Sequence, residues 1–278
     1  MSRVHLVTQA YGKEEIRTEA LYAAWSALAW RGELPLDIHV YTDDAAPYAP
    51  LAGRIDVRVL SPEEIRAWRG PEDFIHRLKA AMIRDMVRRF PGEKLLYVDA
   101  DVFFTGPLST LFERIAPGRA VMHEREYPVA THPSAQMKKF RAHMGALTFR
   151  GKPVDLTRDM WNAGVVGMDP AQFALVDEWL EFIDALYPLY KRGLVEQYGI
   201  GHLLQREATV EPTDDVVFHY WFQKDDYVAA LRRELEGLGG RPHEEALAHL
   251  RGNVIRLPVR KEHTSLLYRL RRALTGKG

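Results

Sequence analysis

The stretch LLYVDADVFF, residues 95–104, constrains this chain more than any other: two carboxylates, Asp99 and Asp101, stand one residue apart between two apolar runs. The run before them reads as a buried strand. The elements around it repeat an α/β order. Residues 3–10 form a short β-branched run, and residues 13–32 change to helical spacing, with Ile16, Ala20, Ala23, Ala24, Ala27 and Leu28 on one face. Residues 36–44 and 54–61 read as strands, and residues 74–90 as a helix stopped by Pro91 and Gly92. Strand, helix, strand, strand, helix, strand predicts a mostly parallel sheet.

Ligands of such sheets bind beyond the carboxyl ends of the strands. The polar tails at those ends are Thr8 with Gln9, residues 42–44, and Asp99 with Asp101. They should share one edge, which makes the first half a nucleotide-binding half. Neither G-x-G-x-x-G nor G-x-x-x-x-G-K-[ST] occurs, so a phosphate would be held by other means. A metal held by carboxylates is the direct alternative. Two acids this close repel and raise each other's pKa unless a cation lies between them. Hard cations such as Mg2+ or Mn2+ take oxygen ligands and bridge carboxylates to phosphates. The competing reading is a pair of solvated loop acids that cap the helix after Pro107.

The second half is more mixed. A strand is expected near residues 120–124, then loops around a short helix over residues 125–160. WNAGVVGMDP, residues 161–170, reads as a glycine-bearing turn entering a strand. A long helix kinked or stopped near Pro188 follows, then a helix over residues 195–207 and a short strand over residues 215–221 containing His219. From Asp225 onward the pattern is helical and charged.

Bulk properties narrow the function classes. Lys plus Arg equals Asp plus Glu at 38 each, so no global positive charge points to a nucleic-acid partner. The absence of cysteine excludes disulfides, thiolate metal sites and a cysteine nucleophile. No run approaches the length of a membrane span, and the opening apolar run is too short for a signal peptide. The expected location is the cytoplasm.

KLLYVDADVFFTGPLSTLF resembles the D-x-D region of GT-A-fold glycosyltransferases, above all the retaining group that includes glycogenin and the bacterial lipopolysaccharide galactosyl- and glucosyltransferases. Four further stretches are similar to that pattern, in order, over about residues 3–224. HLVTQAYGKEEIRTEALYAAWSAL resembles the opening strand and helix, whose strand end binds nucleobase and ribose; this implies roles for Thr8, Gln9 and Tyr11. HRLKAAMIRDM resembles the segment whose basic residue approaches the donor diphosphate, and Lys79 fits it, with Arg77 second. WNAGVVGMD resembles the N-[AS]-G segment beneath the donor sugar, which implies Asn162. FHYWFQK resembles the late His and Lys, here His219 and Lys224, that complete the metal and phosphate site. The chain departs from the pattern twice: Glu196-Gln197 stands where D-Q is usual, and no glycine follows His219 before Lys224.

The resemblance implies an α/β GT-A fold with a glycosyltransferase domain over about residues 1–235, divided into a nucleotide-binding half (about 1–105) and an acceptor half (about 106–235). Residues 236–278 would form a helical extension with a basic tail. The implied activity is metal-dependent transfer of a hexose from a UDP-sugar to a glycan or lipid-linked glycan, with retention. Asp99, Asp101 and His219 would hold Mn2+ or Mg2+. Thr8, Gln9, Tyr11, Asp43, Arg77, Lys79, Asp99, Ala100, Asp101 and Lys224 would bind the donor, and Lys79, Asn162, Glu196 and Gln197 would serve the chemistry.

Each residue also has a plainer reading. His219 is one of 11 histidines, Asn162 suits a turn before glycine, Glu196 suits a helix start, Lys79 suits a solvated basic face, and Asp43 with Asp44 suits a turn. Two other functions share these features: a nucleotidyltransferase that makes the sugar nucleotide, and a non-enzymatic sugar-nucleotide-binding protein. The last stretch, with Leu266, Leu267, Leu270 and Ala273 at helical spacing among Arg269, Arg271, Arg272 and Lys277, fits either a basic amphipathic helix on an anionic inner membrane face or a helix packed on the core.

Overall fold

The computed structural model describes residues 3–258. Its first half runs β1 (Val4–Ala10), α1 (Glu14–Trp30), β2 (Leu36–Thr42), β3 (Asp56–Val59), α2 (Pro62–Arg69), α3 (Arg77–Arg89) and β4 (Lys94–Val98). Next come β5 (Val102–Phe104), α4 (Leu108–Arg114), β6 (Arg119–Met122), β7 (Arg125–Pro128), α5 (Ala135–Met144), β8 (Thr148–Phe149), β9 (Lys152–Pro153), β10 (Asp159–Trp161) and β11 (Val165–Met168). The chain continues through α6 (Ala174–Tyr190), α7 (Leu194–Glu207), β12 (Thr209–Pro212), β13 (Val217–His219), α8 (Lys224–Leu238) and α9 (His243–Gly252).

Among the described residues, seven strands form one sheet in the order β12-β6-β11-β4-β1-β2-β3. β1 pairs in parallel with β2 on one side and β4 on the other, and β2 pairs in parallel with β3. β6 and β12 are also parallel, while β11 runs antiparallel to both β4 and β6. The mostly parallel expectation holds, with β11 the exception. Chain order reverses at β1, so a crevice opens beyond the carboxyl ends of β1 and β4, where such folds bind ligands.

Side chains alternate across the sheet with period two. Val4, Leu6, Leu36, Ile38, Leu96 and Val98 enter the core under α1, α8 and α9; Val7, Tyr41, Leu95 and Tyr97 enter the core under α3, α6 and α7. The alanines Ala20, Ala23, Ala24 and Ala27 of α1 are fully buried, and α1 touches β5, α8 and α9 at once. Small side chains let it be covered on both faces.

At the amino ends of the strands, a run of hydrogen bonds ties the sheet together. His39 Nδ1 meets Asp56 Oδ2 at 3.0 Å, His39 Nε2 meets His5 Nδ1 at 3.0 Å, and His5 Nε2 pairs with Glu93. The His5 ring stacks on Phe90 with centroids 3.9 Å apart.

The structure departs from the sequence expectations in small elements. Ser61 and Glu64 form a capping box that starts α2, which the reading of residues 54–74 did not include. The stretch expected as loops contains β7 and β10 paired as an antiparallel ribbon, besides α5. β12 was also not anticipated. α6 contains Pro188 in its last turn and ends at Tyr190. The basic amphipathic stretch around Leu266 to Lys277 lies outside the described residues. No described helix is long and apolar enough to cross a membrane.

Candidate functional site

Asp99 and Asp101 leave the end of β4 and are fixed by backbone bonds on both sides. The Asp99 amide donates to the Gly164 carbonyl at 2.8 Å, and the Tyr220 amide donates to the Asp101 carbonyl at 3.1 Å. The first bond places the D-x-D beside the N-A-G segment entering β11. The second follows from β13 pairing antiparallel with β5, with His219 opposite Val102. That small ribbon brings His219 from far along the chain to the acids.

The side chains converge accordingly. His219 Nε2 lies 3.3 Å from Asp101 Oδ1, and Lys224 Nζ lies 2.8 Å from Asp101 Oδ2. Lys79 Nζ lies 3.2 Å from Asp99 Oδ1 and 3.3 Å from Glu196 Oε1, and donates to the Ala163 carbonyl at 2.9 Å. The Tyr97 hydroxyl donates to Asp99. Of the two basic candidates, Lys79 reaches the acids; Arg77 instead forks onto Asp184 of α6 at 2.6 and 2.8 Å and onto the Trp68 carbonyl.

Burial sets the protonation of these groups. Asp101, Lys79 and Glu196 are 5%, 5% and 3% exposed, so each charge needs a partner. Burial opposes ionisation of Asp101, but the His219 ring and the Lys224 ammonium hold its carboxyl well below the usual carboxylate range. Burial also disfavours charge on Lys79, yet Asp99 and Glu196 raise its pKa. Glu196 is pushed up to about 7 by burial and by Asp99, against the pull of Lys79.

The other expected residues fall around this centre. Asn162 Oδ1 accepts from the Gly164 amide at 2.9 Å, and its Nδ2 donates to Glu126 at 3.2 Å. Gln197 Nε2 donates to the second oxygen of the same Glu126 at 3.0 Å. At the ends of β1 and β2, Gln9 donates to the Tyr97 hydroxyl at 3.3 Å and accepts from Tyr11 at 2.7 Å. Asp43 accepts from the Gly12 amide and from Arg17, both at 2.8 Å. Thr8 is buried, its hydroxyl without a hydrogen-bond partner among the described residues, and Ala100 is buried between the two acids.

Three acid or imidazole groups at the site were not singled out from sequence. Glu126, on β7, bridges Asn162 and Gln197, and burial raises its pKa. Glu19, on α1, is 2% exposed, with one oxygen lacking a hydrogen-bond partner among the described residues; burial pushes its carboxyl up to about 7, moderated by Lys224. His123 follows β6 and sets its ring perpendicular to that of His219 at 5.0 Å. Both its ring nitrogens lack hydrogen-bond partners among the described residues, and burial with His219 pushes it down to about 4.

Gly164 is small for a definite reason. A Cβ there would run into the His219 ring, at Cε1 and Nδ1. The N-A-G turn thus supplies the space in which the imidazole stands.

One ligand atom each from Asp99, Asp101 and His219 can be chosen so that all lie within 4.8 Å of one another. Ligands about 2.1 Å from a shared octahedral ion lie within about 4.2 Å of one another, so small closure of this set would hold one. The ring nitrogen Nδ1 of His219 is buried without a hydrogen-bond partner among the described residues. Four carboxylates, Asp99, Asp101, Glu19 and Glu196, face two ammonium groups, Lys79 and Lys224, leaving two formal negative charges when all the acids are ionised. Oxygen and imidazole donors with that charge fit a divalent cation.

No family model and no curated protein matches the sequence. Among solved structures, the chain is similar to mouse xyloside xylosyltransferase 1 in its apo form, with a TM-score of 0.51 and 17% identity over 84% of this chain and 93% of that one. At this identity the likeness establishes the fold, and the GT-A architecture expected from the sequence stands.

Proposed function

We propose that this protein is a metal-dependent glycosyltransferase that moves a hexosyl group from a UDP-sugar to a hydroxyl of a glycan or lipid-linked glycan, with retention at the anomeric carbon. The observation that carries the proposal is the convergence of Asp99, Asp101 and His219 with Lys79 and Lys224 at the crevice where chain order reverses. The fold shared with a xylosyltransferase supports sugar transfer over nucleotidyl transfer. The resemblance to the retaining glycogenin-like group supports the hexose, the UDP carrier and retention.

Glycosyl transfer is limited by departure of a diphosphate while positive charge builds at the anomeric carbon, so positive groups already fixed around the leaving oxygens lower the barrier. A divalent cation held by Asp99, Asp101 and His219 would supply Lewis-acid charge to that diphosphate. Lys79 is the fixed cation on the other side: its amine is held by two carboxylates and a carbonyl and needs no reorientation. Asn162, Gln197 and Glu126 form one linked set of donors and acceptors where the resemblance puts the donor sugar, and would bind its hydroxyls. Tyr11, Gln9 and Asp43, at the ends of β1 and β2, would hold base and ribose. The reading places this transfer in the cytoplasm, with contact at the inner membrane face if the acceptor is lipid-linked.

The test is incubation with a panel of UDP-sugars and Mn2+, followed by measurement of released UDP. Slow hydrolysis with one sugar, abolished by chelation and restored by Mn2+, is expected. Release of pyrophosphate from UTP and a sugar phosphate would instead identify a nucleotidyltransferase. Metal-dependent UDP binding without turnover of any donor or acceptor would identify a binding protein.

A further inference from the structure

Lys224 does something the phosphate-binding role does not require. Its ammonium lies 2.8 Å from Oδ2 of Asp101, on the carboxylate proposed to ligate the cation. Asp101 is 5% exposed, while the Lys224 side chain is 46% exposed and can swing outward. Asp101's other oxygen faces His219. A cation approaching Asp101 therefore meets a carboxylate already neutralised by a residue of the same chain.

A second observation concerns where the lysine goes. Glu19 is buried on α1 with one oxygen lacking a hydrogen-bond partner among the described residues, and Lys224 is the charge that most stabilises its ionised form. A buried carboxylate without a hydrogen-bond donor is costly. It keeps the ammonium near the crevice rather than letting it leave for solvent.

We propose that Lys224 is a built-in competitor for the cation's place on Asp101, positioned by Glu19, so that metal and nucleotide diphosphate load together. A cation alone must displace the ammonium without replacing its ion pair. A cation with a diphosphate gives the displaced ammonium a new anion. Each ligand thereby raises the affinity for the other, and by linkage the factor is the same in both directions. This inference rests on the glycosyltransferase reading of the metal site but adds a coupling that the reading does not need.

The experiment is titration of the full chain with Mn2+, with and without UDP, followed by the loss of the free-ion paramagnetic resonance signal and by calorimetry. Wild type, Lys224→Met and Lys224→Gln are compared. Removing the ammonium should strengthen Mn2+ binding in the absence of UDP by about tenfold, the size expected for loss of one competing charge contact. The same variants should lose most of the enhancement by UDP. Glu19→Gln, which loosens the hold on the ammonium, should move both readouts in the same direction as the Lys224 variants but by less. A gain in affinity cannot come from misfolding, so the readout separates the proposal from damage.

Lys224 variants that bind Mn2+ alone no better than wild type, while wild type binds Mn2+ with UDP, overturn the competitor role and leave the metal site standing. Wild type that fails to bind Mn2+ even with UDP overturns both.

Discussion

The two ends of the same strands carry two polar clusters built around buried histidines, with opposite character. At the amino ends, His5, His39, Asp56 and Glu93 form a closed run in which every ring nitrogen has a protein partner. At the carboxyl ends, the cluster around Asp99 and Asp101 leaves His219 Nδ1, both nitrogens of His123, and oxygens of Glu19 and Thr8 without hydrogen-bond partners among the described residues. The rings of His5 and His39 are as buried as the carboxylates of Asp101 and Glu19, although Asp56 and Glu93 at the amino end reach solvent. The difference is whether the protein completes its own hydrogen bonds. A buried polar group left open costs stability, and it persists where something from outside completes it.

The strongest way to break this comparison is Asp101→Ala. At the open end it should weaken metal-dependent UDP binding by about a thousandfold, or about 4 kcal/mol, while the melting temperature stays within a few degrees of wild type. Calorimetry with Mn2+ and UDP checks it, and unchanged binding would move the site elsewhere.

The converse variant is His5→Ala at the closed end. It removes a fully buried ring, leaves His39 Nε2 without its partner and opens a cavity against Phe90. Unfolding free energy in denaturant should fall by about 3 kcal/mol, with UDP affinity of the folded fraction unchanged. Loss of binding without loss of stability would erase the distinction between the ends.

Lys79→Met sharpens the comparison inside the open end, because Lys79 is itself well partnered. A purely structural lysine would cost stability and leave turnover alone. The proposed role predicts a drop in kcat of about a hundredfold with a smaller change in KM, measured as UDP release.

The smallest effect is the most diagnostic of sign. Glu19→Gln should stabilise the protein by about 1 kcal/mol near neutral pH, since it removes a buried carboxylate of incomplete partnership. The Glu19 carboxyl is raised by burial from 4.5 to about 7 in the folded state. A raised folded value means its protonated form favours folding, and that stability is full below about pH 4.5 and lost as pH rises through about 7. The advantage of the variant over wild type should therefore grow across that window. An advantage that shrinks with rising pH would refute the placement of Glu19.

The sequence made the open end legible where chemistry sat next to a strong local pattern. Asp99 and Asp101 close an apolar strand, and His219 lies on another short apolar run, so both stood out. The pattern ranks Lys79 ahead of Arg77 but keeps both as donor-binding candidates, because both sit at the start of α3 and tertiary packing decides which one turns inward. Asp184, on α6, decides it by taking Arg77. Glu19 was illegible for a different reason: in sequence it is an acid in an amphipathic helix, a normal solvated position. It is buried because α8 and α9 cover the outer side of α1, a contact formed by residues late in the chain. Glu126 and His123 sit in and beside short polar segments that pair only in the folded protein. The capping box of α2 was present in the sequence as Ser61 and Glu64, a signal that the periodicity of its neighbours overshadowed.

The missing Cβ at Gly164 gives a way to recognise descent without assaying any chain. The His219 ring occupies the volume a side chain at 164 would need, so the two positions cannot drift independently. Relatives that keep an imidazole at 219 must keep glycine at 164. A relative with alanine or serine at 164 will have lost the imidazole or moved it, and with it the third donor of the candidate metal site. Reading these two positions together across related genomes would sort chains that retain that donor set from those that have kept only the scaffold.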